Sequence, residues 1–175
     1  MVAPSQPSVI CETRRLILRP TTADDLEFVA AMNTDPVVSR FLGGVKTPDQ
    51  SRQKIEEAIE HQRQHGFSRW SVIRKNTGEV IGHCGPMVKQ VGGAAEVELG
   101  YAFTRPHWGH GYATEAAQAV VAHCFDVLGQ GRVVAIIDPE NSRSVRVAVK
   151  IGMTYERVIE WEGKPAILYV AHSGT

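Results

Sequence analysis

The chain predicts a mixed α+β layer fold, on three observations. Residues 95–103 alternate with period two and lead, through a glycine-spaced turn, into a segment whose apolar residues recur at helical spacing. Val133-Val134-Ala135-Ile136-Ile137 is a short, wholly apolar run of the kind a buried strand shows. Two strand-like runs, residues 70–74 and 80–84, face each other across a turn at Asn76-Thr77-Gly78 and read as a hairpin. At 175 residues with 43% apolar content, the chain suits one globular domain with a sizeable core.

Taken in order, Arg15-Leu16-Ile17-Leu18-Arg19 alternates like an opening strand and stops at Pro20. Thr22 precedes Ala23-Asp24-Asp25-Leu26, a capping pattern with acid in the first turn, for a helix to about Met32. Thr47-Pro48-Asp49-Gln50 starts a second helix with proline at its first position. That helix carries Ile55, Ala58 and Ile59 on one face and ends near Gly66. In the strand at residues 95–103, Val97, Leu99, Tyr101 and Phe103 share one face; Glu96, Glu98, Gly100 and Ala102 share the other. The helix after it presents Ala113, Ala116, Ala117, Val120, Val121, Cys124 and Leu128 on one side, and its alanines allow close packing on a sheet. A fourth helix spans about 141–151 and ends at Gly152, and two last strands surround Glu162-Gly163-Lys164. Residues 1–11 read as a flexible tail without an apolar signal segment, and residues 12–175 as the single domain.

Composition excludes several function classes. Nineteen basic and 19 acidic side chains give a formal net charge of zero, so nothing global points to nucleic acid or an anionic membrane. No apolar run approaches the ~20 residues that span a bilayer. Cys11, Cys84 and Cys124 are odd in number and far apart with no CxxC pair. That argues against a disulfide framework and a metal site and suits a reducing, cytoplasmic setting.

The stretch with the most chemistry is Arg105-Pro106-His107-Trp108-Gly109-His110-Gly111-Tyr112-Ala113-Thr114-Glu115-Ala116. Two glycines one residue apart let successive N–H groups curl into one concavity, and the helix N-terminus adds unpaired N–H groups and partial positive charge. The result is a site for a phosphate or pyrophosphate. A dinucleotide fingerprint would need a third glycine where Thr114 stands, and a P-loop would need Gly-Lys-Ser/Thr, so neither applies. The competing reading is a tight strand-to-helix turn with no ligand. Gly100 and Ala102 leave one face of the preceding strand without bulk, which suits an extended, amide-containing ligand pairing with the backbone. Glu98 shares that face; a solvated outward carboxylate is the alternative. Asn141 is an N-cap that could also meet a ligand, and Ser144 lies in the same first turn. Arg143, Arg146 and Lys150 form a basic stripe on that helix, the pattern of a solvated face.

Trp108-Gly109-His110-Gly111-Tyr112-Ala113-Thr114-Glu115-Ala116, with Asn141-Ser142-Arg143-Ser144 and Lys150-Ile151-Gly152-Met153, resembles the GNAT superfamily of acetyl-CoA-dependent N-acetyltransferases. The opening Glu12-Thr13-Arg14-Arg15-Leu16-Ile17-Leu18-Arg19-Pro20 is similar to the first strand of its RimJ/RimL branch, the ribosomal-protein alanine acetyltransferases. The resemblance implies a mostly antiparallel twisted sheet flanked by about four helices, with a V-shaped splay between central strands. It implies that the backbone of Tyr101, Ala102, Phe103 and Thr104 pairs with the pantetheine arm of acetyl-CoA as cosubstrate. Residues His107, Trp108, Gly109, His110, Gly111, Tyr112, Ala113 and Thr114 would hold the pyrophosphate, and Asn141 and Ser144 would meet the cofactor. The reaction implied is direct attack by a primary amine, from a protein N-terminus or a small molecule, in a ternary complex without metal. Glu98 is then the candidate base, directly or through water, and Ser144 the group that stabilises or protonates the thiolate. Two positions depart from the family: Pro106 replaces a usual Gln or Arg, and Ala148 stands where many members carry a tyrosine acid. Acceptor specificity is expected from residues 24–66 and the final hairpin, with Trp70 and Trp161 as pocket-lining candidates that could equally be core. The alternative function is a non-catalytic acyl-CoA-binding sensor.

Overall fold

A computed structural model describes residues 8–174. Its centre is one eight-stranded sheet in the order β1-β2-β3-β4-β5-β6-β8-β7. The strands are β1 (Cys11–Glu12), β2 (Leu16–Pro20), β3 (Trp70–Arg74), β4 (Glu79–Val91), β5 (Ala94–Phe103), β6 (Arg132–Ile137), β7 (Thr154–Trp161) and β8 (Lys164–His172). Every neighbouring pair is antiparallel except β5 with β6, which run parallel. Five helices flank the sheet: α1 (Leu26–Thr34), α2 (Pro36–Ser39), α3 (Pro48–His65), α4 (Tyr112–Asp126) and α5 (Ser142–Lys150). The mixed, mostly antiparallel sheet is the one expected, with one helix more than the four expected.

The main core lies between the sheet and α4. Leu16, Leu18, Trp70, Val72, Ile81, Leu99 and Phe103 meet Ala116, Ala117, Val120 and Cys124, and Trp70 is fully buried. At ~25 cal/mol per Å² of apolar area removed from water, this layer is the dominant stabilising term. Trp70 therefore belongs to the core, its ring edge-on to His123 of α4, and lines no acceptor pocket. On the opposite face Ala102 of β5 packs with Met32 and Val38 of α1 and α2. The buried Asp25 anchors α1 to the sheet: it accepts from both Arg19 nitrogens at 2.8 and 2.7 Å, from the Ser71 hydroxyl at 2.8 Å and from Thr22 N–H at 3.0 Å. Burial works to raise its carboxyl pKa, but these donors together hold it below the ordinary value.

Three elements differ from expectation. The strand expected at residues 80–84 continues to Val91, because Gly82, Gly85 and Pro86 hide its pattern. Both glycines are there for space: a Cβ on Gly82 would strike Ala102 O and the Phe103 ring, and one on Gly85 would strike Ser68 O. The single turn α2 is set by Asp35, whose Oδ1 accepts from Val37 N–H at 2.9 Å, with Pro36 at the first position. Cys11, assigned to the tail, pairs with Leu18 in β1. Residues 1–7 of that tail lie outside the described residues.

Candidate functional site

Parallel β5 and β6 share one register pair, Glu98 with Val134, and part beyond it. Before the parting they are pinned by Arg132, which donates to both Glu96 oxygens at 3.2 and 3.1 Å and to Glu156 at 2.8 and 3.0 Å. After it, a gap opens toward the end of β5. Thr104 N–H donates to Ile81 O at 3.1 Å, so alternation turns the backbone of Thr104 and Ala102 toward β4 and that of Tyr101 and Phe103 into the gap. The Phe103 carbonyl accepts from Trp108 Nε1 at 2.7 Å. A sheet edge inside a gap is a template for an extended, amide-bearing chain.

The gap runs into the glycine turn. Residues Arg105–His107 form one 3-10 turn, braced by Thr104 Oγ1 and His107 Nδ1 at 2.8 Å. Gly109 (φ 79°) and Gly111 (φ 81°) both adopt the left-handed backbone that favours glycine. Gly111 is the N-cap of α4 and brings no side chain to it, which leaves the first-turn N–H groups pointing into the turn. Arg15 holds the turn from outside: Nη1 donates to His110 O at 2.9 Å, Nε to Glu115 Oε2 at 2.6 Å, and the guanidinium lies 4.5 Å from the Tyr112 ring centre. Burial would raise the Glu115 carboxyl pKa, but donation from Thr13 and Arg15 holds it below the ordinary value. Beside the turn a groove of about 530 Å³ is lined by Thr13, Gly111, Thr114, Gln118 and Lys150. Arg143, Arg146 and Lys150 are all exposed, as a solvated face is, with Lys150 at the rim of this groove and Arg143 4.4 Å over the Trp108 ring.

On the far side of the gap stands the first turn of α5. Asn141 Oδ1 accepts from Ser144 N–H at 3.2 Å, so the capping role is real and fixes the backbone of Ser144. The Ser144 hydroxyl lies 2.9 Å from Tyr101 Oη, which also reaches Ser144 O at 3.1 Å. Burial pushes the Tyr101 phenol pKa well above its ordinary value. Ala148 is buried in the core, so the usual tyrosine position is filled by packing.

Glu98 is no solvated carboxylate. It is buried and ion-paired with Arg69 Nη2, while Arg69 Nη1 donates to Gly85 O and, at 3.1 Å, to Glu98 O. A Cβ on Gly100 would collide with that guanidinium. The small residues on this face of β5 therefore make room for Arg69 and for α1 and α2, and not for a ligand backbone, which has the gap edge instead. Sequence reasoning missed Arg69. Its trace was Gly100 itself, since a glycine within a strand marks a close approach. His83, in register with Ala102 and Ser71, has a buried Nδ1 with no partner among the described residues. Burial and, secondarily, Arg69 push its pKa down to about 4, so the ring is neutral. Trp161 is half-buried against Val91, Val134, Leu168 and Val170.

A family model for the acetyltransferase (GNAT) domain matches residues 15–154. An uncharacterized protein of Bacillus subtilis (strain 168) is 37% identical over 146 residues, covering 83% of this chain and 85% of that one. An uncharacterized N-acetyltransferase of Bacillus licheniformis is 33% identical over 150 residues, 84% of this chain and 83% of its own. The solved acetyltransferase from Agrobacterium tumefaciens matches with a TM-score of 0.84 at 26% identity, covering 99% of this chain and 98% of that one. Among the described residues no helix is long and apolar enough to cross a membrane, and no group of three or more His, Cys, Asp or Glu could hold a metal.

Proposed function

This chain belongs to the GNAT family of acetyltransferases, and on that premise we propose that it transfers the acetyl group of acetyl-CoA to a primary amine of a protein N-terminus. It is an acetyltransferase, and acetyl-CoA is the acetyl source. The observation that supports direct transfer to an amine is the placement of Glu98 and Ser144 about the parting of β5 and β6. Glu98 shares the β5 face covered by α1 and α2; Tyr101, on the opposite face, holds Ser144 of α5. A base on one side and a hydrogen-bond donor on the other suit a reaction in which an amine arrives from one face and a thiolate leaves by the other.

The residues present fit the cosubstrate. The Tyr101 and Phe103 backbone offers a pairing edge for the pantetheine arm, residues 107–114 a cradle for the pyrophosphate, and Asn141 holds the turn that faces them. When bound, acetyl-CoA supplies an activated acetyl thioester. Glu98 takes the amine proton, directly or through a water. The nitrogen attacks the carbonyl, the C–S bond breaks with its electron pair on sulfur, and Ser144 O–H stabilises that charge. Holding amine and thioester together is worth up to ~7–11 kcal/mol of barrier.

The protein acceptor rests on the RimJ/RimL resemblance of residues 12–20; a small amine is the competing acceptor. A cleft of about 560 Å³ lined by Phe28, Met32, Asp35, Val38, Thr104 and Arg105 supports an acceptor site built from α1 and α2. The continuous sheet from β1 to β7 supports a single domain that already includes Cys11, and three free cysteines, two of them buried, suit the cytoplasm. No observation favours a non-catalytic sensor. The test is release of CoA thiol from acetyl-CoA across a panel of free-N-terminus peptides, polyamines and aminoglycosides. Turnover is expected with the peptides; turnover with small amines alone overturns the acceptor, and none with any amine overturns the reaction. Glu98→Gln is expected to lower kcat by roughly 10²-fold or more at unchanged acetyl-CoA KM. An unchanged kcat moves the base elsewhere.

A further inference from the structure

We propose that Tyr101 is a positioning residue for the leaving group, its phenol fixing the Ser144 hydroxyl so that the serine's single proton points at the departing sulfur. The inference rests on the reading of Ser144 as the group that stabilises the thiolate, and extends it to a second residue on another element.

The geometry begins with β5. Its alternation puts the Tyr101 side chain on the α4–α5 side, with Leu99 and Phe103, while its backbone faces the gap. From there the phenol crosses to the first turn of α5 and places Oη 2.9 Å from Ser144 Oγ and 3.1 Å from Ser144 O. This contact spans the open end of the wedge, beyond the one register pair of β5 and β6. The β5 residue whose main chain is offered to the pantetheine arm is therefore the residue whose side chain holds Ser144.

A serine hydroxyl has one proton and two lone pairs, and left alone it rotates among staggered positions. The one phenol proton lies within reach of both Ser144 O, at 3.1 Å, and Ser144 Oγ, at 2.9 Å; shared toward Oγ, it occupies a lone pair there and leaves the serine O–H to be aimed at a third group. Asn141 already fixes the Ser144 backbone through its N–H, at 3.2 Å. The cap sets the main chain and Tyr101 sets the hydroxyl. The arrangement requires a phenol that keeps its proton, and burial of Tyr101 holds it protonated far above neutral pH. No covalent bond to Tyr101 forms or breaks; as the C–S bond opens and its electron pair stays on sulfur, the Ser144 O–H donates to that sulfur without rotational search.

The test is a double-mutant cycle on the full chain with acetyl-CoA and the best amine found for the wild type: Tyr101→Phe, Ser144→Ala, and both together. Tyr101→Phe keeps the ring and its packing, so melting should be little changed. It is expected to lower kcat roughly tenfold, a fraction of what a positioned donor supplies, with acetyl-CoA KM within about twofold of wild type. In the Ser144→Ala background the same substitution is expected to cost nothing more. An equal loss in both backgrounds, an unchanged kcat, or a loss confined to KM overturns the role of Tyr101 while leaving the transferase reading intact. An unchanged kcat in Ser144→Ala alone overturns the thiolate role of Ser144 and this inference with it.

Discussion

The two ends of the β5–β6 pair are built on opposite plans. At the closed end Arg132 sits between Glu96 and Glu156, and Val134, Leu168 and Val170 are buried beside it. At the open end the strands share no register pair, and what crosses is sparse: the Tyr101–Ser144 hydroxyls, Arg143 over Trp108, and the exposed Arg40–Glu140 ion pair. An exposed pair of that kind contributes at most ~1 kcal/mol, so the open end is held lightly. The contrast teaches that this site is made by withholding a ladder. The closed end fixes where the strands part, and the parting leaves backbone groups inside the sheet for a ligand to complete.

The largest expected break in that contrast comes from Gly100→Ala. The new Cβ drives the Arg69 guanidinium off Glu98 without altering either charge. The colliding atoms end a flexible side chain, so the fold should survive while kcat falls by roughly tenfold or more. Circular dichroism with steady-state kinetics checks this, and full activity would show that Glu98 works without its arginine. Next in size is Arg132→Ala at the closed end, which leaves Glu96 without its cation and Glu156 with Arg157 alone. A cost of about 2 kcal/mol is expected, or roughly 4–8 °C in Tm, from calorimetry. If Tm holds, apolar burial alone pins the closed end.

The smallest effect at neutral pH is a pH dependence near the open end. His83 is neutral in the fold, its pKa pushed from 6.5 to about 4 by burial and by Arg69. A lowered folded value means stability complete above pH 6.5 and lost as pH falls toward 4. His61 and His123, also lowered by burial, act in the same direction. Urea midpoints at stepped pH should therefore decline across that window, and His83→Gln should flatten the decline. An equal slope in the variant would assign the loss to the other two rings.

Legibility followed distance along the chain. The glycine turn could be read because Gly109 and Gly111 need their left-handed backbone whatever surrounds them. Asn141 could be read as a cap because its acceptor serves an N–H three residues on. Thr47, Pro48 and Gly66 marked both ends of α3 for the same reason. The partners of the proposed site residues were not legible. Arg69 and Glu98 are 29 residues apart, Tyr101 and Ser144 are 43 apart, and Arg15 and Glu115 are 100 apart. Nothing in composition or spacing ties such residues together. The long β4 was hidden because Gly82 and Gly85 answer to neighbours in space, Phe103 and Ser68, and not to strand propensity.

By itself, then, the sequence determined what local chemistry can settle: the alternation of β5, the alanine face of α4, the turn between them, and the cap of α5. Caps, turns and periodicity act over a few residues and need no tertiary partner to be favourable. The tertiary structure alone decided where β5 and β6 part, that Arg69 fills the face of Gly100, and that Tyr101 meets Ser144. Those outcomes depend on the register of strands distant in the chain, which is set by burying one face of the whole sheet at once.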